Sequence, residues 1–244
     1  MIDKKYFEII QKYFPKVKES AIKLFNDGWD YNVYVVNSET AFRFPRKKDY
    51  AEKLPQEVDF LNKFRQLCPV PIPKLELHTD ASLIFPFVIY PFIKGERFSR
   101  ATAATFTREE RLVIAAQLGK FLTKLHGLSL DMLPQRRTDK KFIITEWNTR
   151  LLDFKNTIFP LISLREQKWI EKLVLSFLDV VEKSNIRFCI IHADIAPEHI
   201  IINPKTHTLA GIIDFGDVEI GDPAYDFAFL GRYGKEFLDK VYET

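Results

Sequence analysis

The sequence predicts an α+β fold of two lobes, in which an antiparallel sheet with one helix precedes a largely helical second lobe. Residues 1 to 92 of the 244-residue chain hold short runs rich in β-branched and aromatic residues, separated by turn-forming residues. Residues 97 to 244 carry long amphipathic patterns with capping residues. The sequence has no internal repeat and no low-complexity linker, and we expect residues 93 to 96 to form a hinge.

The first lobe begins with a predicted helix over residues 4 to 14, where aromatic and charged residues alternate at helical spacing. Three strands of an antiparallel meander are predicted in "SAIKLF", "NVYVVNS" and "TAFRFP", with turns at "NDGWDYN" and "NSE". A helix is predicted over "PQEVDFLNKFRQL", with Pro55 in its first turn. The prolines of "CPVPIPK" end this helix, and two more strands are predicted around "LELH" and "LIFPFVIYPFI".

The second lobe begins with a helix whose start is marked by a capping box of Thr107 and Glu110 and whose end is marked by Gly127. His126, in its last turn, is expected to interact with the C-terminal end of that helix. Two further helices are predicted, within residues 143 to 155 and across "REQKWIEKLVLSFLDVVEKS". Strand character returns in "RFCIIHAD", "HIIIN" and "TLAGIIDFGD".

Composition and charge limit the class of protein. The 46% of hydrophobic and 28% of charged residues are typical of a globular chain, and the net charge of +3 does not indicate nucleic-acid binding. The two cysteines have no metal-ligand spacing, which predicts free thiols in a reducing compartment. There is no signal-peptide pattern and no apolar run of about 18 residues. We expect a cytoplasmic monomer with no membrane or nucleic-acid partner.

The stretch "IIHADIAPEHIIINPKTHTLAGIIDFGD", residues 190 to 217, places ionisable side chains between apolar runs. Burying charges costs free energy unless they are paired or bind a metal. His192 and Asp194 form an H-x-D pattern. His199 lies five residues after Asp194, and Asp214 lies twenty residues after it. The apolar runs predict short buried strands, and the loops between them are expected to bring Asp194, His199 and Asp214 together.

A carboxylate that accepts a hydroxyl proton, beside ligands for a divalent cation, is what phosphoryl transfer needs. Mg²⁺ is held by a few protein groups together with the phosphates of a substrate, and it offsets the repulsion between clustered carboxylates. The pattern therefore predicts Asp194 as the catalytic base or orienting group. It predicts His199 and Asp214 as Mg²⁺ ligands.

H-x-D, a ligand five residues later and then "IDFGD" resemble the aminoglycoside phosphotransferase family of kinases. His at position 199 is typical of the 2''-type aminoglycoside enzymes and the macrolide phosphotransferases. "GIIDFGDVEIGDPAYDF" is similar to the 2''-type enzymes in particular. The resemblance implies a two-lobe, protein-kinase-like fold over nearly the whole chain. We expect His192 to be structural and Asp226 to fasten the catalytic loop by hydrogen bonds.

The resemblance also implies a nucleotide site in the first lobe, for ATP or GTP. The family places a cation on the third strand, where "TAFRFPR" offers Arg43, and pairs it with a helix glutamate, here Glu57. The nucleotide loop falls on "NDGWDYN", whose only glycine is Gly28. In "IYPFIKGERF", the main chain from Pro91 to Ile93 would face the nucleotide base. Tyr90 would stand near the gatekeeper position, where a bulky residue disfavours adenine and makes GTP an alternative.

The acceptor implied by the resemblance is a cationic aminoglycoside, for which an acidic pocket is expected. Glu198, Glu219 and Asp222 lie near the loops that would form this pocket. Considered by itself, Glu198 is predicted to be a surface residue. The chain stops 18 residues after Asp226, where the family continues with helices that line the acceptor pocket. We therefore expect either that this chain is a fragment or that the acceptor site is incomplete or built differently.

Three alternatives remain open at this point. The first is a kinase of the same fold that acts on a macrolide, a choline-like alcohol or a hydroxy amino acid. The second is a nucleotide-binding module, or pseudokinase, that never turns over. The third is a phosphate-binding structural protein that uses no metal.

Overall fold

A five-stranded antiparallel sheet forms the first lobe in the computed structural model, which describes residues 2–27, 30–133, 139–185 and 187–244. The strand order is β1-β2-β3-β5-β4. The strands are β1 (Ile22–Asp27), β2 (Tyr31–Val36), β3 (Thr40–Pro45), β4 (Glu76–His78) and β5 (Phe87–Pro91). The predicted meander and the two later strands are thus confirmed.

Two helices cover opposite faces of this sheet. Helix α1 (Lys4–Tyr13) buries Ile9 and Ile10 against Phe42 and Phe44 of β3. Side chains alternate between the faces of a strand, so Ala41 and Arg43 point the other way, towards α2. Because of this alternation, Arg43, the one cation of β3, faces the helix that carries Glu57.

Helix α2 (Lys48–Phe64) begins seven residues earlier than the sequence predicts, and Pro55 lies inside the helix rather than in its first turn. The apolar spacing explains the difference, because Ala51 and Leu54 are buried and extend the core-facing stripe upstream of the proline. Pro55 has no main-chain N–H, so one hydrogen bond of the helix is missing at this point. The packing of α2 against the core offsets this loss.

The second lobe is built around helix α4, whose capping box and Gly127 C-cap are as predicted. It buries Ile114, Leu118 and Leu122 in the main core. The helices of this lobe are α3 (Arg100–Ala104), α4 (Arg108–His126), α5 (Lys140–Thr157), α6 (Leu164–Lys183) and α7 (Lys235–Tyr242).

Five short strands complete the lobe in two small sheets, β10-β7 and β6-β8-β9. They are β6 (Glu96–Arg97), β7 (Cys189–Ile191), β8 (Ile200–Asn203), β9 (Thr208–Ile212) and β10 (Glu219–Gly221). Strands β7, β8 and β9 lie where the sequence predicts them. Strands β6 and β10 and helices α3 and α7 were not predicted, because each is too short to show a period.

Gly119 allows α4 and α7 to approach each other closely. A Cβ atom at this position would lie 2.5 Å from the main-chain oxygen of Val241.

Both cysteines are free thiols, as predicted. Among the residues described, none of the helices is long and apolar enough to span a membrane.

Candidate active site

The carboxylate of Asp226 holds the loop between β7 and β8 by hydrogen bonds. The main-chain N–H of His192 donates to Oδ2 of Asp226 at 3.0 Å, and that of Ala193 donates to Oδ1 at 2.8 Å. Ala193 has a left-handed φ of 67°, which the two hydrogen bonds hold. Asp226 therefore fastens the loop, as the sequence predicted.

His126 is also part of this arrangement, through a contact that the sequence did not predict. Its Nε2 lies 2.9 Å from Oδ2 of Asp226, 100 residues along the chain. The side chain therefore bonds to a distant carboxylate as well as lying in the last turn of α4. Sequence spacing gave no signal for this pair, because only the tertiary fold brings the two together.

His192 is buried and links the two loops of the site. Its Nε2 lies 3.2 Å from the main-chain oxygen of Ile213, and its Nδ1 accepts the N–H of Asp194 at 3.3 Å. Burial lowers the pKa of His192 to about 4, so the imidazole is neutral at pH 7. This residue is structural, as predicted.

Asp194, His199 and Asp214 converge at the ends of the short strands. His199 Nδ1 lies 2.9 Å from the main-chain oxygen of Asp194 and 3.2 Å from its Oδ2. His199 Nε2 lies 3.4 Å from Oδ2 of Asp214. Asp214 has a left-handed φ of 67°, an uncommon conformation for a residue with a side chain. The structure thus brings together the three residues that the spacing singled out.

The arrangement of His199 and Asp214 fits a divalent cation. Nδ1 of His199 faces a carbonyl oxygen, which favours the tautomer with the proton on Nδ1 and leaves a lone pair on Nε2. That lone pair faces a carboxylate oxygen 3.4 Å away, so a positive charge between the two atoms would relieve their repulsion. The described residues contain no group of three or more His, Cys, Asp or Glu poised for a metal. Mg²⁺ commonly uses only one or two protein ligands together with substrate phosphates.

Arg43 supplies the cation of the same cavity. Its Nη2 donates to Oε2 of Glu57, and its Nη1 lies 3.9 Å from Oδ1 of Asp214. Both Arg43 and Glu57 are buried. Burial alone would lower the pKa of Arg43, but the charge of Glu57 outweighs it and raises the pKa above the ordinary value. Arg43 is therefore a permanent, fixed cation.

These groups line one cavity of about 300 Å³ between the lobes. Tyr90 lines it, and burial raises its pKa to about 12, while its place near the nucleotide base stays a prediction. Pro91 and Ile93 are not among the described residues that line the cavity, and the Phe92 N–H between them donates to the main-chain oxygen of Glu39 at 2.7 Å. Gly28 lies outside the described residues.

Several residues of the cavity were missed by sequence reasoning. Asp30 and Tyr31 lie within "NDGWDYN", the predicted nucleotide loop, and Arg97 directly follows the predicted hinge. Their positions in or beside those two segments are the signal that could have identified them. Glu198 also lines the cavity, while Asp222 caps a 3-10 turn by accepting the N–H of Ala224.

The electrostatic environment of Asp194 is unusual for a half-exposed carboxyl group. Burial raises the pKa of Asp194 above its ordinary value, although His199 acts in the opposite direction. The neighbouring charges of Asp214 and Asp217 raise the pKa further. A carboxylate with a raised pKa is a stronger base than an ordinary aspartate.

A sequence model of the phosphotransferase enzyme family matches residues 21–244. The chain belongs to this family. A protein that this chain resembles is a viomycin phosphotransferase of Streptomyces vinaceus, 25% identical over 215 residues, which are 85% of this chain and 72% of the relative. Another is an aminoglycoside 3'-phosphotransferase of Streptomyces ribosidificus, 22% identical over 163 residues and 57% of this chain. The match spans 60% of the length of that second relative.

Solved structures confirm the phosphotransferase fold. The GDP complex of an aminoglycoside 2'-phosphotransferase-IIIa superposes with a TM-score of 0.86 over 99% of this chain and 82% of that chain. The two sequences are 24% identical, so the likeness establishes the fold. The two-lobe, kinase-like α+β fold predicted from the sequence is therefore confirmed.

Proposed function

We propose that this protein transfers the γ-phosphoryl group of ATP or GTP to a hydroxyl of a small molecule, in the presence of Mg²⁺. The observation that carries the proposal is the convergence of Asp194, His199, Asp214 and the Arg43–Glu57 pair on one cavity. This set combines a base, two oxygen or nitrogen ligands and a fixed cation, which together meet the needs of phosphoryl transfer. Membership of the phosphotransferase family supports the same reaction.

In the proposed reaction, the acceptor hydroxyl gives its proton to Asp194 as its oxygen bonds to the γ-phosphorus. The bond from that phosphorus to the β–γ bridging oxygen breaks, and the nucleoside diphosphate leaves. The raised pKa of Asp194 favours its role as the base. Most of the rate enhancement would come from positioning and charge neutralisation.

The phosphates of the nucleotide would lie between Arg43 and the pair formed by His199 and Asp214. The guanidinium of Arg43 can hold two phosphate oxygens at once. His199 and Asp214 would hold Mg²⁺, which when bound neutralises phosphate charge. We further propose residues 93–96 as the hinge, because β5 ends at Pro91 and β6 pairs with β8 of the second lobe.

The acceptor class proposed is an aminoglycoside, with viomycin as the second candidate. Two relatives carry the names of these antibiotics, and the viomycin enzyme matches the larger share of this chain. Asp194 and Glu198 give the cavity an acidic side, which suits a cationic acceptor. For the nucleotide, the bulk of Tyr90 in the cavity makes GTP an alternative to ATP, and similar solved structures hold GDP, ADP or ATP.

The test is a direct assay of the purified protein with Mg²⁺, ATP or GTP, and a panel of aminoglycosides plus viomycin. We expect release of nucleoside diphosphate and a product heavier by one phosphoryl group, measured by mass spectrometry. Asp194→Asn should lose most of this activity, and chelation of Mg²⁺ should abolish it. Thermal stabilisation by nucleotide with no product from any acceptor would instead identify a nucleotide-binding module.

A further inference from the structure

The aromatic ring of Tyr31 covers one face of the Arg43 guanidinium. The carbon at the centre of that group lies 4.4 Å from the ring centroid. Both residues line the cavity between the lobes, and both are buried. The contact joins the start of β2 to the centre of β3, within one sheet.

Tyr31 is itself held in place. Its main chain pairs with Pro45 across the β2–β3 ladder, and its hydroxyl donates to the main-chain oxygen of Tyr50 in α2 at 3.3 Å. The side chain is 7% exposed. The main chain of Tyr31 is therefore fixed by the sheet, and its ring is buried and bonded to the helix that carries Glu57, so the ring cannot turn away from Arg43 without breaking the bond to Tyr50.

Only some of the N–H donors of the Arg43 guanidinium are bonded to the protein. Nη2 donates to Glu57, and Nη1 lies 3.9 Å from Asp214. Nε is buried and has no hydrogen-bond partner within the part of the chain that the structure describes. Since the ring of Tyr31 covers one face, Glu57 accepts one N–H of Nη2 and Nε is buried, the N–H groups left for an anion in the cavity are those of Nη1 and the second N–H of Nη2.

We propose that Tyr31 is a positioning residue that orients Arg43 for the triphosphate, and that the site is built for arginine rather than lysine at position 43. This proposal rests on the proposed function. A planar guanidinium stacks on an aromatic face, whereas a lysine ammonium lacks a plane that the ring could orient. The ring therefore fixes the direction of the donors, which a salt bridge to Glu57 alone leaves free to rotate.

The variants that test this remove the ring or only its hydroxyl. Tyr31→Leu and Tyr31→Met remove the aromatic face, and having both guards against one failing to fold. Tyr31→Phe keeps the ring and loses the bond to Tyr50. Tyr6→Leu is the matched control, since Tyr6 is 8% exposed and also lies beneath a cation, Lys5, but on the other face of the sheet.

The readout is the Kd of each variant for the nucleoside triphosphate and for the corresponding nucleoside, measured by calorimetry with Mg²⁺. Tyr31→Leu and Tyr31→Met should weaken triphosphate binding by about 3- to 30-fold. Nucleoside binding should change by less than about twofold, because the nucleoside has no phosphate for Arg43. Tyr31→Phe and Tyr6→Leu should leave both values close to wild type.

A second arm combines Tyr31→Leu with Arg43→Lys. In the Arg43→Lys background, removal of the ring should cost less than about twofold in triphosphate Kd, since the stacking partner is already lost. Equal fold-losses in the two backgrounds would overturn the proposal. So would a parallel loss of nucleoside and triphosphate affinity, which would make Tyr31 an ordinary core residue.

The wild type, the two single variants and the double variant are also unfolded in urea without nucleotide, which separates this proposal from the proposed function. If the wild type binds neither ATP nor GTP, the proposed function fails. The free energies of unfolding of these four proteins then still show whether the ring and the guanidinium interact. Coupling between the two substitutions is expected, and strict additivity of their effects would overturn the stacking on which the proposal depends.

Discussion

Asp194 is held in a position that disfavours its own charge. The side chain is partly buried, and Asp214, Asp217 and Glu198 all act to raise its pKa. His199 offsets only part of this effect. The folded protein therefore binds a proton at Asp194 more tightly than the unfolded chain does, and ionisation of this residue at neutral pH lowers the free energy of unfolding.

Asp194→Asn should consequently lose activity and gain stability. We expect kcat to fall by about 10²- to 10⁴-fold, because general-base catalysis contributes on that scale. The melting temperature at pH 7 without Mg²⁺ should rise by about a degree or two, because the neutral amide removes the unfavourable charge. Calorimetry at pH 7 and a steady-state assay check the two effects. A lower melting temperature would mean that the carboxylate stabilises the fold.

Much of the site could be predicted at the level of single residues. Asp194, His199 and Asp214 were identified because the H-x-D and "IDFGD" patterns lie between apolar runs that must form strands. The structure brings these three together with the Arg43–Glu57 pair. Tyr31 and His126 were not assigned these roles, because their partners are chosen by the packing of elements that no spacing relates.

At the scale of elements, helix α2 joins the sheet to the second lobe. Glu57 reaches Arg43 of β3, and Lys53, one turn earlier, lies 3.0 Å from Asp217 of the loop that follows Asp214. The main-chain oxygen of Tyr50, earlier still, accepts the hydroxyl of Tyr31. The turns of α2 that precede Pro55 thus carry two of these three contacts. The sequence could not place them, since a proline is usually read as a helix start.

Glu57→Gln should destabilise the protein strongly. Removing one partner of a buried ion pair leaves an uncompensated charge, at a cost of about 3–5 kcal/mol. Urea unfolding measures the loss. Glu52→Gln is the control on the same helix, because its pair with Lys48 is exposed and its loss should change the free energy of unfolding by less than about 0.5 kcal/mol. Similar effects for the two variants would contradict the account of α2.

Gly119→Ala should weaken the contact between α4 and α7. The added methyl group would meet the main-chain oxygen of Val241, so the helices must separate at a cost of about 1–3 kcal/mol. After the gain in helix propensity of about 1 kcal/mol, we expect a net loss of up to about 2 kcal/mol in the free energy of unfolding. Thermal unfolding provides the measurement. Gly231→Ala is the control, because no atom lies within 4 Å of the position that its added methyl group would take. An increase in the melting temperature for Gly119→Ala would refute the close approach.

For the whole molecule, local periodicity was enough to predict the architecture. Long amphipathic runs gave α4, α5 and α6, and β-branched runs between turn residues gave the sheet. Periodicity could not give β6, whose two residues pair with the distant strand β8, or the short helix α7, which packs on α4. These features depend on contacts between segments far apart in sequence.

Acid should destabilise the whole protein through His192. Its pKa is about 4 in the folded state, against an ordinary value of 6.5 for an exposed histidine, so the unfolded chain binds the extra proton first as pH falls. Stability from this residue is complete above pH 6.5 and is lost between pH 6.5 and 4, by up to about 3 kcal/mol. Urea unfolding across this range tests the sign. The slope should be smaller in His192→Gln, and an unchanged slope would assign the effect elsewhere.

The attachment of the loop between β7 and β8 to Asp226 has a consequence for biosynthesis. Asp226 is made 34 residues after His192, whose main chain it holds. The residues of the first-lobe sheet, together with Arg43 and Glu57, are therefore all made well before the carboxylate that holds the loop. A chain released before residue 226 would contain Arg43 and Glu57 but would lack the carboxylate that fastens the loop between β7 and β8.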